Sequence, residues 1–221
     1  MEREQERTRT IFEETINIPV GQTFLSGDLV IPEKAKGIIL FSHGSGSSRF
    51  SNRNKLVANE LHKHKFATLV FDLLTVYENR VVNNRFDTDL LTERLIGITN
   101  WVSDFYETRE LPLGYFGAST GAASALKAAA VFGDRIKAVV SRGGRPDLVL
   151  RDLPEVIAPV RLIVGSLDQP VIGMNEVAIN ALEQSVDKDL VLVPGASHLF
   201  EEPGKLMEVA SLTVAWFERF I

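Results

Sequence analysis

Hydrophobic and polar positions along the chain alternate between two kinds of pattern. Short runs rich in β-branched and aromatic residues fall at 12–18, 23–31, 37–41, 67–71, 113–116, 136–140, 161–164 and 190–193. Most are unbroken apolar stretches, the pattern of strands covered on both faces. Helical periodicities lie between them. Leu91, Leu95, Ile98, Val102 and Phe105 share one helix face. Asp87 is placed to cap that helix, and Asp89 sits in its first turn, where the helix dipole favours negative charge. Leu206, Val209, Ala210, Thr213, Trp216, Phe217 and Phe220 repeat the pattern near the C-terminal end, and an alanine-rich helix runs over about residues 122–131. His62 and His64 fall near the end of a polar helix, two positions apart, and read as solvated side chains without a shared site.

Strands alternating with helices predict an α/β fold, a mostly parallel sheet between helical layers. The first two strands are joined only by Pro19-Val20-Gly21-Gln22, too short for a crossover helix, so they are expected to pair antiparallel. The chain has 221 residues and no low-complexity linker or internal repeat. A single domain is therefore expected over 11–221, with residues 1–10 a charged segment able to stay disordered.

Composition narrows the function classes. A formal net charge of −5 lacks the basic footprint of a nucleic-acid binder. No apolar run reaches membrane-spanning length, and the first ten residues have no secretory pattern. Cysteine is absent, which removes disulfides and thiolate chemistry and suits a cytoplasmic address. The histidines are not clustered and H-E-x-x-H is missing, so no metal is expected.

The ends of the strands carry the chemistry-bearing residues. Gly117-Ala118-Ser119-Thr120-Gly121 follows one strand and opens the alanine-rich helix. In that setting G-x-S-x-G reads as a sharp turn that thrusts a serine hydroxyl above the sheet. The plainer alternative makes Ser119 a helix N-cap. A nucleophilic serine needs a base and the base an orienting acid. His198, in the loop after the last strand, supplies the base, while His43 anchors its own loop. Asp168, after the preceding strand, is the favoured acid over Asp147, and Asp72 is read as bracing a loop. The backbone N–H of Thr120 and that of Ser45 are the expected oxyanion donors, with Gly44 and Gly46 as near alternatives to Ser45. Arg142 and Arg145 are candidates for a substrate carboxylate or for pinning a loop through Asp147 or Asp152. Phe50, Tyr77 and Phe86 either wall the pocket or cover the core.

On these residues the chain resembles the α/β-hydrolases, within them the compact branch similar to dienelactone hydrolases. The resemblance runs from about residue 20 to the end. It rests on Ser42-His43-Gly44-Ser45-Gly46-Ser47-Ser48-Arg49, Phe71-Asp72-Leu73-Leu74-Thr75, Gly114-Tyr115-Phe116-Gly117-Ala118-Ser119-Thr120-Gly121, Ser141-Arg142-Gly143-Gly144-Arg145-Pro146-Asp147 and Gly195-Ala196-Ser197-His198-Leu199-Phe200. It implies an eight-stranded, mostly parallel sheet with strand 2 reversed, a Ser-Asp-His triad and hydrolysis without a cofactor. Dienelactone hydrolases proper use a cysteine nucleophile, whereas this chain has Ser119, which turns the expectation to carboxylesterase chemistry on a small-molecule ester. Only about twenty residues separate the strands at 136–140 and 161–164, leaving no room for a large lid and predicting an open site for small acyl groups. A non-catalytic binding scaffold, or an acyltransferase or peptidase with the same triad, remains compatible with the sequence. The oligomeric state is not legible.

Overall fold

The computed structural model describes residues 9–221. The charged segment read over 1–10 lies mostly outside the described residues, and its end, Thr10, already belongs to a strand. Eight strands form one sheet: β1 (Thr10–Val20), β2 (Thr23–Pro32), β3 (Gly37–Ser42), β4 (Phe66–Phe71), β5 (Leu113–Ala118), β6 (Ile136–Arg142), β7 (Val160–Gly165) and β8 (Lys188–Val193). Their order is β1-β2-β4-β3-β5-β6-β7-β8. β2 runs antiparallel to both β1 and β4, and every other pairing is parallel. This is the α/β-hydrolase architecture, with strand 2 reversed as the short 19–22 link requires.

Five α-helices cover the sheet: α1 (Asn52–Lys63), α2 (Thr88–Asp104), α3 (Thr120–Phe132), α4 (Gln169–Ala181) and α5 (Lys205–Phe220). Leu91, Leu95 and Ile98 of α2, Ala123 and Leu126 of α3 and Ala178 of α4 pack in one core with Leu29, Leu40, Tyr115 and Val139 of the sheet. Val57 and Leu61 of α1 and Val209, Trp216 and Phe217 of α5 close the other face over Phe41, Phe66, Phe116 and Val140. The Asp87 carboxylate accepts hydrogen bonds from the N–H groups of Asp89 and Leu90, at 3.1 and 3.0 Å, the cap expected from the sequence.

Two local readings change. The helix α4 has no strong sequence pattern: it begins at a proline turn, and the buried Asn175 interrupts its apolar face. His62 is only partly solvated. Its Nε2 lies 2.7 Å from the hydroxyl of the buried Thr68 on β4, and burial pushes its pKa down to about 4. Because α1 turns this side of its last turn onto the sheet, position at a helix end did not mean exposure.

Two stability measurements follow. Leu95 is fully buried, and Leu95→Ala is expected to cost about 2–5 kcal/mol in equilibrium urea unfolding. The neutral His62 makes the unfolded chain the stronger proton binder below pH 6.5. Stability is therefore lost as pH falls from there towards 4, by at most about 3 kcal/mol from this group. Urea midpoints at pH 7 and pH 4.5 should converge in His62→Gln relative to the wild type.

Candidate active site

All the sequence-selected residues map to the edge of the sheet where the parallel strands end. Ser119 joins β5 to α3 with φ 50° and ψ −123°, a conformation rarely adopted by residues with a side chain. Its hydroxyl makes no capping bond to α3, so the N-cap alternative is not what this serine does. Backbone contacts hold the turn: the Ser119 N–H donates to Arg142 O at 3.2 Å, and the Ser119 carbonyl accepts from Arg145 N–H at 3.1 Å and Ala122 N–H at 3.0 Å. Gly121 is required by contact, since a Cβ there would lie 2.1 Å from the carbonyl oxygen of Ser42.

Asp168 and His198 meet across the ends of β7 and β8. The His198 Nδ1–Asp168 Oδ2 distance is 2.6 Å. Their loops are zipped together by Ser166 N–H to Val193 O (3.0 Å), Leu167 N–H to Ala196 O (3.0 Å) and Gly195 N–H to the Ser166 hydroxyl (2.8 Å). Asp168 occupies the N-cap position of α4, yet its side chain makes no capping bond and is left to face the imidazole. The competing acid, Asp147, is engaged by Arg145 through two hydrogen bonds of 2.8 Å. Arg145 therefore pins its own loop.

Gly143 follows the end of β6 with φ 51°, and its Cβ position lies 3.2 Å from His198 O and 3.5 Å from the ring. The Ser119 hydroxyl itself makes no hydrogen bond among the described residues, a looseness common in ligand-free sites. Asn175, which the sequence reading missed, supports this junction. Fully buried on α4, it donates to Gly144 O at 3.0 Å and to Val171 O at 2.8 Å. A lone amide on the buried face of a helix was its only signal.

The loop after β3 lies on the other side of the serine. His43 Nδ1–H donates to Gly44 O at 2.9 Å, and Nε2 accepts the Leu73 N–H at 3.0 Å. Burial lowers the His43 pKa, so the ring serves as a neutral cross-link between two loops. Asp72 accepts from Arg49, at 2.9 Å from its backbone N–H and 2.6 Å from its guanidinium. The Ser45 N–H, expected to be open for an oxyanion, instead donates to the Thr120 hydroxyl at 2.9 Å. The two expected donor residues are thus side by side, with a side-chain oxygen occupying one of them.

Arg142 differs from Arg145. Only 8% exposed, it forms no ion pair among the described residues, and its Nη1 has no hydrogen-bond partner. Burial, with the positive charge of Arg53 nearby, lowers its pKa to about 10. Phe50, Tyr77 and Phe86 are all more than half exposed and do not cover the core. A larger concavity of about 400 Å³ lies between the β1–β2 hairpin and α1, away from Ser119, so volume alone does not locate the chemistry. No helix of the described residues is long and apolar enough to cross a membrane.

Comparison with known proteins agrees with this fold. No family model matches the chain. A crystal structure of a dienelactone hydrolase from Anabaena variabilis is 50% identical, superposes with a TM-score of 0.91 and is covered over 98% of its length by 95% of this chain. An α/β serine hydrolase without lid from Xanthomonas campestris shares the fold at 19% identity and a TM-score of 0.76, over 97% of this chain and 98% of its own. Proteins from two strains of Mycobacterium tuberculosis, provisionally named phosphoribosyl transferases, are 50% identical over 205 residues, 93% of this chain and 46% of theirs. The chain spans about half the length of these curated relatives. With a full-length relative at half identity, the chain belongs to the dienelactone hydrolase family of α/β-hydrolases.

Proposed function

We propose that this chain is a serine hydrolase of carboxylesterase type that cleaves small esters through Ser119, His198 and Asp168. The observations that support the reading are the 2.6 Å bond between His198 and Asp168 and the strained turn that holds Ser119 between β5 and α3. With Nδ1–H donated to Asp168, Nε2 of His198 is the basic nitrogen. It takes the Ser119 proton as Oγ bonds to the ester carbonyl carbon. The tetrahedral intermediate places its negative oxygen at the Thr120 N–H, and at the Ser45 N–H once that donor exchanges the Thr120 hydroxyl for the substrate oxygen. Collapse breaks the bond to the alcohol, which leaves with the proton from His198. Water then repeats the sequence on the acyl-enzyme and releases the acid and the free serine.

The connection between β6 and β7 contains only short 3₁₀ turns, Pro146–Val149 and Leu153–Glu155, which favours an open site and small substrates. Within this reading, Arg142 recognises an anionic group on the substrate. A buried guanidinium without a counter-charge is costly, and a carboxylate would supply the missing partner.

Ser119→Ala should lower p-nitrophenyl acetate turnover by about 10³-fold or more with unchanged folding. A fluorophosphonate should label the wild type at Ser119 and leave this variant unlabelled. Undiminished turnover in the variant removes the nucleophile, and an unlabelled wild type favours a binding scaffold. Arg142→Met should raise the urea midpoint, because it removes an unpaired buried charge. It should also lower kcat/KM for 4-carboxyphenyl acetate about tenfold relative to phenyl acetate. A constant ratio assigns Arg142 to structure alone.

A further inference from the structure

Sheet order divides the candidate site into two sides. Asp168 and His198 follow β7 and β8, on one side of Ser119, while the loops after β3 and β4 lie on the other. In the proposed reaction His198 hands a proton to the departing alcohol, so the alcohol lies towards β7 and β8. The carbonyl oxygen is turned towards Thr120 and Ser45. The acyl substituent is left to point across the oxyanion loop, towards the segment between β4 and α2.

A cavity of about 210 Å³ opens there, lined in part by His43, Ser47, Arg49, Phe50, Leu74 and Val76. It is smaller than the roughly 300 Å³ of a whole small-molecule site, and suits one part of a ligand. Its charged and imidazole groups are already engaged. His43 uses both ring nitrogens on backbone groups, and Arg49 and Asp72 bond each other. What remains for a ligand is an apolar wall of Phe50, Leu74 and Val76, with small serine hydroxyls and the Asn79 amide.

Exposed apolar side chains follow along the segment beyond Val76. Val76, Tyr77, Val81, Val82 and Phe86 are each more than half exposed, and Tyr77 reaches 78%. This run is nevertheless ordered from beneath. The Thr75 N–H donates to Glu78 at 2.8 Å, Arg94 holds the same carboxylate at 2.5 Å, and Arg85 donates twice to Asn79 O, at 2.8 and 2.6 Å. Two 3₁₀ turns, Glu78–Arg80 and Val82–Arg85, result. A pinned segment that keeps apolar side chains in water beside a cavity next to the candidate site has the character of a recognition surface.

We infer that the 74–86 segment and Phe50 form an acyl-binding subsite for esters whose acyl group carries a single apolar ring, such as arylacetyl esters. The inference rests on the hydrolase reading above and specifies its substrate class.

The test compares p-nitrophenyl phenylacetate with p-nitrophenyl acetate, each corrected for its reactivity with hydroxide. The wild-type ratio of kcat/KM should favour phenylacetate about tenfold or more. Val76→Asp, a change at an exposed position, should bring that ratio close to one, whereas Val177→Asp on α4, also at an exposed position, should not move it. Binding of phenylacetone against acetone, measured by calorimetry, gives a second readout that needs no turnover. Phenylacetone should bind at least about tenfold tighter in the wild type and lose that advantage in Val76→Asp. Equal ratios for both esters and equal affinity for both ketones overturn the subsite. Ketone selectivity without hydrolysis of any ester keeps the subsite and overturns the esterase reading instead.

Discussion

Ser119 holds a backbone conformation that side-chain-bearing residues avoid, and much of the site's construction accommodates that one residue. Strain of this kind costs about 1–3 kcal/mol and persists only where the surroundings leave the chain no alternative. Here the surroundings are the end of β6, which receives the Ser119 N–H, the loop after it, which donates to the Ser119 carbonyl, and the carbonyl of Ser42, against which Gly121 is pressed. The same segments carry the remaining chemistry. The end of β6 leads into Gly143, which His198 overlies, and the end of β3 leads into the loop that brings Ser45 to Thr120. Positioning the proposed nucleophile and assembling its proposed partners are therefore one packing problem.

Polar groups around the site divide into paired and unpaired sets. Those that shape loops are satisfied internally: His43 between two backbone groups, Asp72 by Arg49, Asp147 by Arg145, and the Gly144 carbonyl by Asn175. Those left incomplete include the ones with a proposed task, together with the buried Ser141 Oγ and Asn175 Oδ1. The Ser119 hydroxyl and the Arg142 guanidinium lack partners, and the Ser45 N–H has a side-chain hydroxyl that substrate oxygen can replace. Buried polar groups are normally paired because desolvation without a partner is expensive. An exception next to a strained serine is thus more informative than any satisfied pair.

Much of this was visible in local patterns. The eight apolar runs located the eight strands, and the antiparallel pairing of the first two followed from a link that cannot hold a crossover. The G-x-S-x-G stretch marked the β5–α3 turn because its glycines lie at fixed neighbours of the serine. The weaker readings failed for reasons of burial and distance. His62 occupies a helix end that packs on β4, and nothing local distinguishes it from the more exposed His64. The helix α4 escaped notice because its register is set by β7 and the loop it supports. Phe50, Tyr77 and Phe86 left two roles open, since an aromatic residue in a loop has the same identity whether it faces core or water.

What the sequence determined by itself is whatever depends on neighbours along the chain: strand and helix periodicity, the reversed second strand and the turn around Ser119. Tertiary structure alone decided which carboxylate faces His198, because Asp147 and Asp168 both follow strands and only the zipped β7–β8 loops deliver one of them. It also decided that Arg145 is paired while Arg142 is not, and that the Ser45 N–H meets the Thr120 hydroxyl. Those outcomes turn on differences of an ångström or two between groups far apart in the chain. Residue type and spacing do not carry that information; the packing of the sheet and its loops does.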